Sequence, residues 1–203
     1  MRFPDLGGDR MREAGFSLVE LLVVAGLIAT TGAMAVPHLL VAMEDTHTSG
    51  AARYVSAQLQ RARMEALGRS THVALRFSQT GSGYSYAVYV DGNGNGVRSA
   101  DINQGIDRQL GAQERLPDQF EGVDFGLLPG LPPVEPGGAA PGTDPIKLGS
   151  SEILSFSATG TSSSGSLYIR GRESAQYVVR VFGDTARIRI LRFDAQAGRW
   201  MPL

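Results

Sequence analysis

One carboxylate stands alone in the longest apolar stretch of the chain. Residues 16–43 read FSLVELLVVAGLIATTGAMAVPHLLVAM, and Glu20 is their only formally charged side chain. An ionisable group at the centre of a bilayer costs about 2.5–3.5 kcal/mol. A buried carboxylate therefore seeks a cation. Gly15 and Phe16 lie just upstream, where the polar opening MRFPDLGGDRMREAG gives way to the apolar run.

Two further groups of residues can do chemistry. In the turn Asp91-Gly92-Asn93-Gly94-Asn95-Gly96, oxygen-bearing side chains at alternate positions can converge on a hard cation. Asp91, Asn93 and Asn95 are thus a calcium candidate, set against a plain loop of residues that tolerate left-handed backbone. An EF-hand-like loop begun at Asp91 needs a bidentate acid where Ile102 stands, and Asp101 is one place short. The C-terminal region is basic: Arg170, Arg172, Arg180, Arg187, Arg189, Arg192 and Arg199 meet only Glu173, Asp184 and Asp194. Arg187 and Arg189, two apart on a strand, share one face, and Ile188 and Ile190 take the other. Such a row can bind a phosphate backbone, or simply solubilise and guard the last strand's edge.

Other chemistries find little support. With Cys 0 there is no disulfide, thiolate nucleophile or cysteine metal site. The three histidines, His38, His47 and His72, have no zinc-ligand spacing. The motifs of serine hydrolases, zincins and P-loop enzymes are missing, and Thr161-Ser162-Ser163-Ser164 has no base nearby in sequence. The expectation is a protein that is not an enzyme and needs no cofactor. A formal net charge of -1 names no partner by overall electrostatics.

The element that must position Glu20 is a long apolar helix. Residues 21–43 exceed the roughly 20 apolar residues that cross a hydrocarbon layer of about 30 Å. Arg2, Arg10 and Arg12 precede them, so the positive-inside bias puts the opening segment in the cytoplasm. Three readings compete. A cleaved secretory signal predicts a small-x-small site, which ATTGAMA offers. A plain anchor leaves Glu20 unexplained. The third accounts for both the acid and Gly15.

Gly15-Phe16-Ser17-Leu18-Val19-Glu20 resembles the type IV prepilin processing motif. The resemblance implies a prepilin peptidase that cuts after Gly15 and methylates the new terminal residue, Phe16. Glu20 then becomes the fifth residue of the mature chain and Pro37 the twenty-second, where pilins commonly carry a helix-kinking or helix-melting proline. It also implies that Glu20 pairs with the terminal amine of a neighbouring subunit, which sets axial register. A proline inside a helix removes one hydrogen bond and crowds the turn before it.

The remainder reads as helix, then strands. In residues 51–68, Ala52, Val55, Leu59, Ala62 and Ala66 recur at helical spacing and form one apolar stripe for a sheet. Gly68 is the expected stop. Arg61, Arg63, Glu65 and Arg69 read as a solvated face. Residues 44–50, EDTHTSG, suit either an interruption or a continuation of the same helix. Alternation predicts strands over 72–77 and 84–90, joined by a glycine turn, and further strands over 152–156, 166–169, 176–182 and 187–193. Short strands with tight connections predict a mostly antiparallel sheet. Residues 129–145 hold six of the ten prolines and read as a long surface loop within one domain.

Helix first and antiparallel strands after is the order of pilins. More narrowly the chain resembles the GspH/FimT family of minor pilins and pseudopilins. The resemblance rests on residues 60–77, the D-x-N-x-N-G turn, Leu154-Ser155-Phe156-Ser157-Ala158-Thr159-Gly160, and a basic final hairpin. It implies an α+β pilin fold, with a long N-terminal helix packed on a mainly antiparallel sheet domain. Residues 1–15 would be a cytoplasmic leader, 16–43 a transmembrane and assembly helix, and 44–203 a periplasmic domain with a Pro/Gly-rich loop at 126–150. The implied role is structural, as a minor pilin or pseudopilin of a type II secretion system or type IV pilus. The implied partners are prepilin peptidase, other pilins and inner-membrane lipid. DNA is an alternative partner, since DNA-uptake members carry Gly-Arg-x-Arg near Arg187 and Arg189; here Ala186 stands in the glycine's place.

Overall fold

The computed structural model describes residues 16–81 and 83–203, the side chains of residues 36–38 aside. Gly15 and the leader expected over residues 1–15 lie outside the described residues. Contacts divide the chain into two units, Met1–Val41 and Ala42–Leu203. A single helix, α1 (Leu18–Arg69), begins in the first unit and ends in the second.

α1 has no break at Pro37 or across residues 44–50. Of the two options for EDTHTSG, interruption or continuation, the structure takes continuous helix. The helix accommodates the polar residues of 44–50. Thr46 Oγ1 donates to the carbonyl of Ala42 at 2.8 Å, and Thr48 Oγ1 donates to that of Glu44 at 2.7 Å. Their hydroxyls thus find acceptors inside the helix, as threonine can in this setting. Gly50 is there for packing, because a Cβ would lie 3.2 Å from the Phe120 ring. The helix stops at Arg69 rather than Gly68. Ser70 takes the left-handed backbone (φ 53), and Thr71 N donates to Ala66 O at 3.2 Å, which closes the last turn in the manner of a Schellman cap.

Two antiparallel sheets follow, where one was expected. In the first, β3 (Arg108–Glu114), β2 (Gly83–Val90), β1 (Val73–Thr80) and β6 (Ile153–Phe156) lie side by side in that order. In the second the order is β10 (Arg199–Pro202), β9 (Arg187–Asp194), β8 (Gln176–Phe182), β7 (Gly165–Arg170), β4 (Asp124–Phe125), with β5 (Ile146–Lys147) also on β7. Every pairing is antiparallel. The sheets part between β6 and β7. There the chain turns through Gly160, which has φ 87, and keeps one isolated bridge, Phe156 to Ser162.

The stripe predicted on α1 is the helix's contribution to the core. Ala52, Val55, Leu59, Ala62 and Ala66 are buried in one cluster with Leu75 and Phe77 of β1, Leu154 and Phe156 of β6, and Leu167, Ile169, Val179 and Val181 of β7 and β8. Phe125 meets the rings of Phe77, Tyr84 and Tyr86 edge-on, a favourable aromatic geometry. Strands β7 and β8 are buried on both faces: Tyr168 and Val178 face away from Leu167 and Val179, yet are as inaccessible. The second face is covered by the proline-rich loop. Trp200 Nε1 donates to Pro132 O at 3.0 Å, Glu135 pairs with Arg180, and Leu131 is buried, while Ile146 and Leu148 join the main core beside Leu167. The loop is thus a third layer of the domain.

Candidate assembly surfaces

Within the first unit α1 presents apolar side chains outward. Leu18 is 73% exposed, Leu22 63%, Ile28 66% and Leu39 62%, whereas Leu59 of the same helix is fully buried. A continuous apolar surface of this kind needs lipid or other protein against it. The helix is long and apolar enough to cross a membrane. Glu20 is exposed on it, and no cation among the described residues lies within 4.0 Å. Backbone helix carries Glu20 and Pro37 alike; Phe16 lies just before it.

Within the second unit, two acids of the polar run 44–50 hold α1 to the β-structure. Glu44 Oε1 accepts the backbone N–H groups of Glu173, Ser174 and Ala175 at 2.7, 3.1 and 3.3 Å. These belong to the turn between β7 and β8, which Gly171 N closes by donating to Ala175 O at 2.8 Å. Gly171 permits the approach: a Cβ there would stand 2.5 Å from Glu44 Oε1 and 2.6 Å from Thr48 Oγ1. Asp45 Oδ1 accepts the Tyr177 hydroxyl at 2.9 Å and lies 3.3 Å from Arg192 Nε. Burial, and then the bond to Asp45, push the Tyr177 hydroxyl up to about 12, so it remains a donor at neutral pH. The available signal was an acid pair at the point where the apolar run ends. Its partners are some 130 positions away, and local pattern does not name them.

Arg187 and Arg189 are both exposed on β9, with Ile188 and Ile190 half-buried on the other face, as alternation requires. Arg189 Cζ lies 5.7 Å from the centre of the Phe182 ring, within cation–π range. Arg53 of α1 lines the same groove as these two arginines. Ala186, just before them, has φ 48. That backbone favours glycine and strains an L-residue, so the position keeps the conformation for which a glycine is suited.

The sequence profile described as type II transport protein GspH matches residues 51–185. The chain belongs to this family. The match begins where the core stripe of α1 begins and takes in both sheets as far as β8. Helix and antiparallel sheets together make the α+β, pilin-like fold that the order of elements predicted. Pilin-like protein PilA1 of Thermus thermophilus is 35% identical over 85 residues, which cover 42% of this chain and 53% of that protein. The chain thus spans about half the length of the curated relative it matches. No solved structure matches it.

In this GspH-family chain the Asp91 loop is organised by its own backbone. Asp91 Oδ1 accepts the N–H groups of Asn93 and Gly94 at 3.1 and 2.7 Å, and Oδ2 accepts that of Gly96 at 2.7 Å. His72 Nδ1 is 3.3 Å from Oδ2. Burial alone would raise the Asp91 carboxyl, but these donors outweigh it and hold it below the usual carboxylate range. Asp107 braces the loop by accepting from Gly92 N at 3.1 Å and Arg98 N at 2.9 Å. Asn93 Oδ1 accepts from Asn95 N at 3.2 Å. The oxygens proposed for calcium at Asp91 and Asn93 are thus engaged by N–H donors, and Asn95 is exposed beside them.

Proposed function

We propose that this chain is a minor pilin or pseudopilin, a non-catalytic subunit that enters a filament of a type II secretion system or type IV pilus through α1. The observation that carries the reading is the division of labour along that one helix. Its first part bears an exposed apolar surface with a single acid, and its second part is built into the core of an antiparallel domain. Membership of a transport-protein family and likeness to a pilin-like protein support the same role.

On this reading prepilin peptidase removes residues 1–15 and methylates Phe16. The apolar helix resides in the inner membrane with the leader on the cytoplasmic side and the domain from residue 44 onward in the periplasm. On extraction, lipid is exchanged for the helices of neighbouring subunits. Glu20, carried into an apolar filament interior, is offset by the terminal amine of the next subunit's Phe16. Pro37 lacks one backbone donor and lets the helix adapt near the membrane exit.

The deciding experiment is mass spectrometry of the mature N-terminus from a host that has the peptidase. The expected product begins at a methylated Phe16. An intact leader, or cleavage near Ala35, would refute the processing step and favour an anchor or a secretory signal. A second reading, DNA binding for uptake, is favoured by the exposed Arg187 and Arg189. It predicts an affinity for duplex DNA that falls steeply as salt rises.

A further inference from the structure

β3 ends the first sheet. It pairs with β2 alone, and among the described residues no backbone hydrogen bond reaches its other edge. The strand reads RQLGAQE. Its ladder with β2 is interrupted: Glu114 lies opposite Tyr86 and Leu110 opposite Val88, so Gly111, Ala112 and Gln113 bulge out of register. Gly111, at the middle of the strand, has φ 79, a backbone for which glycine is suited.

The two faces of the strand differ. Leu110 and Ala112 line a groove of about 260 Å³ with Ala62 of α1 and Val88 of β2. Glu114 faces the same way, and its Oε2 accepts the hydroxyls of Tyr54 and Tyr86, each at 2.7 Å. Gln109 and Gln113 face the other way and bond to Tyr89 and Ser85. The charges at the two ends are unmatched. Arg108 is exposed and Glu114 half-buried, and neither has an opposite charge within 4.0 Å among the described residues. Laid antiparallel against itself about Gly111, the strand is self-complementary. Arg108 meets Glu114, Gln109 meets Gln113, Leu110 meets Ala112, and glycine meets glycine.

We propose that the open edge of β3 pairs with β3 of a second copy of this chain, antiparallel, about a two-fold axis at Gly111. Directly opposite residues share a face and interact. Each end of the joint ladder then holds an ion pair between Arg108 and Glu114. Leu110 and Ala112 lie together between those pairs on the α1 side, and the glutamines lie together on the other. Two-fold symmetry makes every such contact twice. Bulges and charges on an edge turn unlike strands away, whereas a copy brings the same bend and its charges in the opposite order. A slip of two residues would set Arg108 opposite Ala112 and lose both ion pairs, so the ends fix the register. The inference goes beyond the assembly reading, and its failure leaves that reading standing.

The test uses the full chain in dilute detergent micelles. The chain has no cysteine, so introduced thiols report the register without background. Chains carrying Gln109→Cys and chains carrying Gln113→Cys are prepared apart and mixed under mild oxidation. Directly opposite residues come within disulfide reach. The mixture should form linked dimer about tenfold faster than either variant alone, because pairing holds the two thiols together. It should outpace Gln60→Cys by as much, a thiol on the exposed face of α1. Adding Arg108→Glu to both chains should bring the mixture down to the Gln60→Cys rate, and Arg108→Lys should keep the advantage. On the native chain, hydrogen exchange at the amides of residues 108–114 should slow as chain concentration rises, and high salt should weaken that protection by screening the ion pairs. Equal rates for the mixture and the separate variants, an advantage that survives Arg108→Glu, or exchange at 108–114 that ignores chain concentration would each overturn the proposal. The exchange measurement needs no substitution, so it decides even where a variant folds poorly.

Discussion

Glu20 and Glu44 lie on one helix, and each needs donors. Glu44 finds three backbone N–H groups in its own chain, whereas Glu20 is assigned the amine of a neighbour. Glu20→Val should therefore leave membrane insertion intact or improve it, since it makes the run more apolar, while incorporation into filaments falls. Carbonate extraction and the sheared-filament fraction measure the two separately, and normal assembly of the variant would remove the pairing role. Asp91 makes a different prediction, one of pH. Its folded-state carboxyl is held below its ordinary value. Its stabilisation is thus fully present above the unfolded value of about 3.9 and is lost as pH falls through the lower folded value. Asp91→Asn should cost about 2 kcal/mol near neutrality. The difference from the parent should narrow below about pH 4, as followed by denaturant unfolding across pH.

At the scale of elements, the contact between α1 and the β7–β8 turn depends on two residues that cannot be changed independently. Gly171→Ala would place a methyl group 2.5 Å from Glu44 Oε1 and 2.6 Å from Thr48 Oγ1. The flexible Glu44 side chain would yield and lose its three backbone donors. Glu44→Ala should cost about 1.5–3 kcal/mol, as charge-assisted bonds do. Gly171→Ala should cost about 1–3 kcal/mol by overpacking. The double variant should fall well short of the sum, because both changes break one contact; residues in contact couple by about 0.5–3 kcal/mol. A double-mutant cycle by thermal or urea unfolding measures this, and strict additivity would show that the turn is held by something else.

For the whole molecule, the second unit should fold without the first. A truncated chain beginning at Ala42 keeps Glu44, Asp45 and Thr48, and should give a cooperative melt with helix and sheet signals. One beginning at Ala51 retains the core stripe but loses those acids, so it should fold with a lower Tm. Leu59→Asp in either should abolish the melt. Leu59 is fully buried, and an unpaired buried carboxylate costs several kcal/mol, comparable with a total stability of about 5–15 kcal/mol. Circular dichroism decides each case. Equal Tm values for the two truncations would show that the acid pair adds nothing to the isolated domain.

What could be read directly from the amino-acid order was whatever repeats locally. The apolar run with its lone Glu20, the stripe from Ala52 to Ala66, and the hairpin of β1 and β2 all follow from periods of 3.6 or 2 over a few turns or one strand. The same local rule placed Arg187 and Arg189 on one face of β9. Strands that lack the pattern went unseen. β3 is almost wholly exposed, β10 is short, and β5 lies inside the proline-rich loop. Only the tertiary structure decided that residues 44–50 stay helical, that the strands divide into two sheets, and that the loop forms a third layer. It alone brought Glu44 to the amides of residues 173–175, and Arg53 beside Arg187 and Arg189 of β9. These pairings join residues more than a hundred positions apart. Their stability comes from burial and from donors supplied by another element, and neither leaves a periodic trace in the segments that meet.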